Sequence, residues 1–334
     1  MSGSLNFDTT SRPVQAILDE QLEQVSLIFE RQLASDMSAV NNLCMHVEQY
    51  RGKMLRPSLV LLSGMAAAGD VGDGATLTEK HRIVAAVVEM IHMATLVHDD
   101  VLDESQVRRR GATVNHLWGN ETAVMLGDYL ISNSFHLCST VGDPSINLAL
   151  GAVTNTLCEG ELVQLHHRNN YSIDRDMYME IVGRKTASLI GECCRLGGFV
   201  SGASDEACAA LSRFGSGLGV AFQIQDDLLD LVGDPAVLGK PLGQDLEKGK
   251  LTLPVIDHLA QASALERGET LNIVMRGDAA SLRARLVESG AVARTIDSAL
   301  ELVAQAKTEL PRLPDGPARD LLAAMADNVV SRDR

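Results

Sequence analysis

Two short stretches of this chain crowd carboxylates together. "LVHDDVLDES", from Leu96 to Ser105, holds Asp99, Asp100 and Asp103. "QIQDDLLDLV", from Gln223 to Val232, holds Asp226, Asp227 and Asp230 at the same spacing. On a helix, positions i and i+4 share a face and i+1 is turned by about 100°. Asp99 and Asp103 therefore face one way, as do Asp226 and Asp230, with Asp100 and Asp227 on the shoulder. Carboxylates this close repel one another unless cations neutralise them. Hard oxygen ligands of this kind suit Mg²⁺, which keeps some of its waters and is readily shared with a substrate phosphate. The alternative for either stretch alone is a solvated acidic helix end. Repetition of the pattern argues against that, as does the apolar helix preceding each cluster.

Basic residues accompany the carboxylates. "GKMLRP" offers Lys53 and Arg56 at i and i+3, and "VRRRG" places Arg108, Arg109 and Arg110 just past the first cluster. Lys240, Lys248 and Lys250 follow the second. Singly, each reads as a solvated charge. Arginine forks and lysine point charges suit phosphate, however, and the combination with paired aspartates suits a diphosphate.

The elements that must position these residues are helical. Apolar residues make up 46% of the 334, while aromatics are only 3%, as in chains of packed Leu-, Ala- and Val-rich helices. The spacing predicts helices from Pro13, over 56–69, from Thr78 to about Asp103, over 120–139, 145–169 and 177–201, and from Asp205 to Val232. The stretch 233–250 reads as a Gly- and Lys-rich loop, and short helices fill the remainder. No segment alternates as a strand should, so the fold class is all-α. No composition shift marks a boundary, so residues 1–334 read as a single domain with one helical bundle. With 29 Lys and Arg against 44 Asp and Glu, the net charge of −15 argues against nucleic-acid binding. The six cysteines lack metal-ligand spacing and read as buried free thiols of a reducing compartment. The first residues show no signal-peptide pattern, and the longest apolar run, 83–97, is broken by Glu89 and His92. A cytoplasmic location is expected.

With these residues in view, the sequence resembles the trans-isoprenyl diphosphate synthases, the polyprenyl synthetase family. The resemblance runs from about Val47 to the terminal "RDR". It rests on "GKMLRP", "EMIHMATLVHDDVLDES", "RRRGATVNHLWGN", "GDYL", "CEGELVQ", "GRKTASL", "AFQIQDDLLD" and "GKPLGQDLEKGKLTLP", in the family's order. It implies an isoprenoid-synthase bundle around a deep cavity, with the two aspartate motifs at its mouth. It also implies Mg²⁺ held chiefly by Asp99, Asp103 and Asp226, with Asp100, Asp227 and Asp230 in support. Lys53, Arg56, His92 and Arg109 match the isopentenyl diphosphate site. Arg108 and Lys185 match residues that hold the allylic diphosphate, and Lys240 and Lys250 match lysines that close over it. Thr186 and Gln223, with Lys185, match residues beside the developing allylic cation. Arg51, where the family often has glycine, and Arg110 before Gly111 depart from the commoner pattern. A homodimer is implied, with transient membrane contact when a long product leaves.

The reaction so implied is ionisation of an allylic diphosphate followed by attack of isopentenyl diphosphate, with the chain growing by one isoprene unit. No convincing Ser/His/Asp or Cys/His set competes with it. Short-chain members of the family carry bulky aromatics just before the first motif. Here those positions are Ala94 and Thr95, so a medium- or long-chain product of octaprenyl type is expected. Met125, Leu130 or Phe135 could supply the opposite wall. The alternatives are a farnesyl- or geranylgeranyl-type short-chain synthase and an HD-type metal phosphohydrolase using His98 and Asp99 with His81 or His92. A terpene cyclase would lack the second aspartate motif, and a regulatory subunit would have lost one of the two.

Overall fold

The computed structural model describes residues 12–69, 74–109, 111–234 and 242–331. Lys240 and Arg110 lie outside the described residues, as does the terminal "RDR". Helices dominate: α1 (Arg12–Leu33), α2 (Ser38–Glu48), α3 (Leu55–Ala68) and α4 (Glu79–Leu102) come first. A minimal hairpin follows, β1 (Val107–Arg108) and β2 (Gly111–Ala112), antiparallel with Arg108 opposite Gly111. Then come α5 (Val114–Trp118), α6 (Asn120–Ser139), α7 (Pro144–His166) and α8 (Arg175–Val182). A π-helical turn, Gly183–Ala187, joins α8 to α9 (Ser188–Val200), and α10 spans Asp205–Val232. The rest is α11 (Gln244–Glu247), α12 (Leu253–Gln261), α13 (Ala264–Met275), α14 (Ala279–Glu288), α15 (Ala291–Lys307), a 3₁₀ turn and α16 (Pro317–Val330). The all-α class is borne out; the hairpin is two residues a side and holds the only strands among the described residues.

Two compact units make up the chain. The first comprises Met1–Thr154, Glu192–Ser212 and Leu310–Ala324. Its centre is α4, apolar nearly all round, with Val84–Val88, Met90, Ile91, Met93, Ala94 and Val97 buried. Full burial of such side chains contributes about 1.5–3 kcal/mol each. α6, α3 and α1 pack directly on it. Thr78 starts α4 in the extended conformation, and His81 closes a reciprocal cap with it. The second unit comprises Asn155–Gly191, Arg213–Glu309 and Met325–Arg334. Its core gathers Tyr178, Val182, Leu253, Ile256, Leu282 and Leu286 with Ile224 and Leu228 from the C-terminal part of α10.

Five of the six cysteines are buried, and none is in a disulfide. Cys158 is exposed, against the expectation of uniformly buried thiols. Among the described residues no helix is long and apolar enough to cross a membrane.

Candidate active site

The first aspartate cluster ends α4, where the Asp103 N–H donates to the Asp99 carbonyl at 2.8 Å. One helical turn thus separates Asp99 from Asp103, and both are half-buried. Asp100, about 100° round the helix from Asp99, is buried. Its carboxylate accepts a fork from Arg108, with Nε at 3.0 Å from both oxygens and Nη2 at 2.7 Å from Oδ1. The hairpin is what delivers Arg108: β1 turns back so that the guanidinium reaches the helix end. Burial alone would lower the Arg108 pKa, but its hydrogen bonds to Asp100 together with the negative charges of Asp100 and Asp99 outweigh that and hold it up. The guanidinium of Arg108, a residue expected on the allylic diphosphate, thus stands against Asp100 at the end of α4.

Arg56, His92 and Arg109 gather in the same unit. Burial lowers the pKa of the half-buried His92 far below its usual value, and the nearby Arg56, Arg108 and Arg109 lower it further. His92 is therefore neutral at neutral pH, a donor or acceptor and not a cation. The group also contains a counter-charge that the sequence reading passed over as a mere break in an apolar run. Glu89 is buried; burial raises its pKa while Arg56, Arg51 and Arg109 pull it back. Lys53 is exposed. Two backbone conformations shape this group: Met54 starts α3 at φ 51° and Arg109 stands at φ 49°, both left-handed.

The second cluster lies on the last turns of α10, in the other unit. Asp226 is exposed, while Asp227 and Asp230 are buried. Asp227 Oδ2 accepts from the Tyr178 hydroxyl at 2.6 Å, and Oδ1 from Gln223 Nε2 at 2.8 Å. Gln223 in turn accepts from the Thr186 hydroxyl at 2.9 Å. Burial pushes the Asp227 carboxyl well above the usual range, and the neighbouring Asp245 adds to this. Asp230 ties down the end of the Gly- and Lys-rich loop. Its carboxylate accepts from the Asp245 N–H at 3.1 Å and its carbonyl from the Gly243 N–H at 2.8 Å.

A cavity of about 100 Å³ opens within this unit, lined by Gln164, Tyr178, Lys185, Thr186, Gln223, Asp227, Asp245 and Lys250. Five residues singled out from the sequence, Lys185, Thr186, Gln223, Asp227 and Lys250, thus meet in one place. Lys185 Nζ pairs with Glu161 and donates to Gln164 Oε1 at 2.9 Å. Glu161, Gln164, Tyr178 and Asp245 escaped the sequence reading; of these, Glu161 and Gln164 lie in the "CEGELVQ" motif, where a carboxylate and an amide three positions apart were visible.

Among the described residues no three of His, Cys, Asp and Glu come close enough to hold a metal ion unaided. Carboxylates one turn apart at a helix end fit instead a divalent cation that completes its shell with water and diphosphate oxygens. Ala94 is buried and Thr95 half-buried, its hydroxyl donating to the His92 carbonyl at 2.7 Å. Leu130 is buried on α6, as a wall residue should be, but Met125 is 65% exposed. It lines a surface groove with Leu43 and Tyr129, because its side of α6 turns away from α4. The histidines of the phosphohydrolase alternative are otherwise engaged. His81 is buried against Thr78 and Ser201, and burial lowers its pKa to about 4.

The chain matches the Polyprenyl synthetase family over residues 37–287. It is 38% identical to a short chain isoprenyl diphosphate synthase of Methanothermobacter thermautotrophicus, over 86% of this chain and 89% of that one. It is 32% identical to the octaprenyl diphosphate synthase of Escherichia coli, over 96% and 98%. Its structure is similar to a polyprenyl synthase from Caulobacter crescentus crystallised with calcium and isoprenyl diphosphate, with a TM-score of 0.89 and 29% identity over 99% of this chain and all of that one. The chain therefore belongs to the polyprenyl synthetase family of prenyltransferases.

Proposed function

We propose that the protein is a Mg²⁺-dependent trans-polyprenyl diphosphate synthase that condenses an allylic diphosphate with successive molecules of isopentenyl diphosphate to a medium- or long-chain product. The convergence of Lys185, Thr186, Gln223, Asp227 and Lys250 on one cavity carries this reading. Family membership over residues drawn from both units supports treating the whole chain as one catalytic domain.

Arg108 and Lys185 hold the allylic diphosphate, and Lys240 and Lys250 close over it as point charges. Thr186 and Gln223 place oxygen atoms beside the carbon that becomes cationic. Asp99, Asp103 and Asp226 present carboxylates for Mg²⁺. Asp100 and Asp227 keep those helix ends in shape through Arg108 and Tyr178. Mg²⁺, when bound, acts as a Lewis acid that draws charge onto the departing diphosphate. Lys53, Arg56, the neutral His92 and Arg109 hold isopentenyl diphosphate, with Glu89 fixing the guanidiniums. The apolar face of α4 excludes water, which would quench the cation. The family's divalent-metal chemistry and the calcium in the Caulobacter crescentus crystal support the metal assignment. A homodimer in the cytoplasm with brief membrane contact at product release completes the reading.

Product length separates this reading from a short-chain one, to which the Methanothermobacter relative lends weight. The small Ala94 and Thr95 favour the longer product. The test is incubation with isopentenyl diphosphate, allylic primers and Mg²⁺, followed by chromatography of the dephosphorylated products. A ladder ending at farnesyl or geranylgeranyl selects the short-chain reading. Ala94→Phe should shorten the ladder while the first condensation continues; an unaltered ladder removes Ala94 from the control of length.

A further inference from the structure

The π-helical turn Gly183–Ala187 is closed by the Ser188 N–H donating to the Gly183 carbonyl, five residues back. Such turns are rare and cluster at functional sites. No close approach requires the glycine of the turn itself, since a Cβ on Gly183 would meet nothing within 4 Å. The constraint comes from neighbouring helices. A Cβ on Gly160 of α7 would lie 2.6 Å from the Lys185 backbone nitrogen and 2.8 Å from Arg184 Cβ. A Cβ on Gly219 of α10 would lie 2.6 Å from Ala187 Cα and 3.0 Å from its Cβ. These are backbone approaches, and backbone cannot swing aside as the tip of a side chain can. Each glycine also stands near a pin: Gly160 precedes Glu161, which pairs with Lys185, and Gly219 lies one turn before Gln223, which accepts from Thr186.

We infer that Gly160 and Gly219 are positioning residues: by letting α7 and α10 close on the π turn from both sides, they hold it in register and so aim Lys185 and Thr186 into the cavity. The inference rests on the roles proposed above for Lys185 and Thr186. It assigns two side-chain-free positions a part in recognising the allylic substrate that neither could play by contact.

The test uses the full chain and compares Gly160→Ala and Gly219→Ala with Gly151→Ala, which adds a methyl on α7 where nothing lies within 4 Å. With farnesyl diphosphate as primer, each clamp variant should lose about tenfold or more in kcat and in affinity for the primer, since small misplacements of catalytic groups carry such costs. The KM for isopentenyl diphosphate should stay unchanged, and Gly151→Ala should behave as the parent. Hydrogen exchange should quicken at the amides of 183–188 in the clamp variants and not elsewhere. In the unaltered protein those amides should be as protected as those of α8 and α9; open exchange there overturns the clamp even if neither variant folds. Equal losses toward both substrates, or unaltered exchange and kinetics, also overturn it. Quickened exchange combined with undisturbed primer kinetics in Lys185→Ala and Thr186→Ala keeps the clamp and removes the site assignment beneath it.

Discussion

In the first aspartate cluster the inner carboxylate, Asp100, meets a guanidinium; in the second, Asp227 meets a phenol and an amide. The spacing along the helix is the same, and so is the burial of the middle residue. What differs is how the buried charge is balanced. Arg108 neutralises Asp100 outright, which leaves the end of α4 with a settled inner pair and two rim carboxylates. Tyr178 and Gln223 offer only neutral hydrogen bonds, and Asp245 adds a further negative charge beside Asp227. The second cluster thus holds its inner carboxyl through neutral donors alone. Identical motifs can be built into a protein with opposite degrees of internal compensation, and this cannot be read from the motif.

That contrast can be broken or sharpened by measurement. The largest effect is expected at the rim: Asp99→Ala and Asp226→Ala should each lower turnover by about 10³-fold or more, as loss of electrostatic stabilisation at developing charge does. Near-normal product formation by either variant would refute its metal role. Next, Asp100→Asn should destabilise the fold by about 3 kcal/mol, because it strands a guanidinium that has lost its countercharge. Denaturant melts read this directly, and a loss below that of Asp227→Asn would reverse the comparison. A third effect concerns the far end of α4. His81 is held neutral, its pKa lowered from 6.5 to about 4. The unfolded chain binds the proton first as pH falls, so stability is full above 6.5 and declines between 6.5 and about 4. At about pH 5 the loss should reach about 2 kcal/mol, and His81→Gln should remove most of that slope in thermal melts. The smallest effects belong to the second cluster. Asp227→Asn and Tyr178→Phe each remove one hydrogen bond and should cost about 1–2 kcal/mol. A double variant no worse than the worse single one would confirm that the two groups act as a pair.

The sequence showed most where a helix had both a strong pattern and clear ends. α6 and α10 run over 120–139 and 205–232 as the periodicity predicts, and α4 ends within a residue of its expected limits. It showed least where the cause lies far along the chain. The stretch 177–201 reads as one helix because its apolar spacing continues through the π turn, whose determinants sit at Gly160 and Gly219. α2 and α5 went unnoticed because they are short and present few buried residues. The chemistry-bearing residues were legible by type, but their pairing was not. Arg108 has the composition of a phosphate ligand, but its fork on Asp100 could not be read from its place in the sequence. Tyr178 looks like a core aromatic and is one, at 5% exposure, yet its hydroxyl governs Asp227. Met125 fits the inward spacing of α6 and faces the surface instead.

The left-handed backbone at Arg109 has a consequence for how this protein can evolve or be engineered. A residue with a Cβ at φ 49° stores about 1–2 kcal/mol that glycine would release. Selection for heat resistance alone should therefore favour glycine there and discard a cation as it does so. With the arginine holding isopentenyl diphosphate as proposed, only a screen that also demands turnover will keep it, which makes residue 109 a place where durability and catalysis pull in opposite directions.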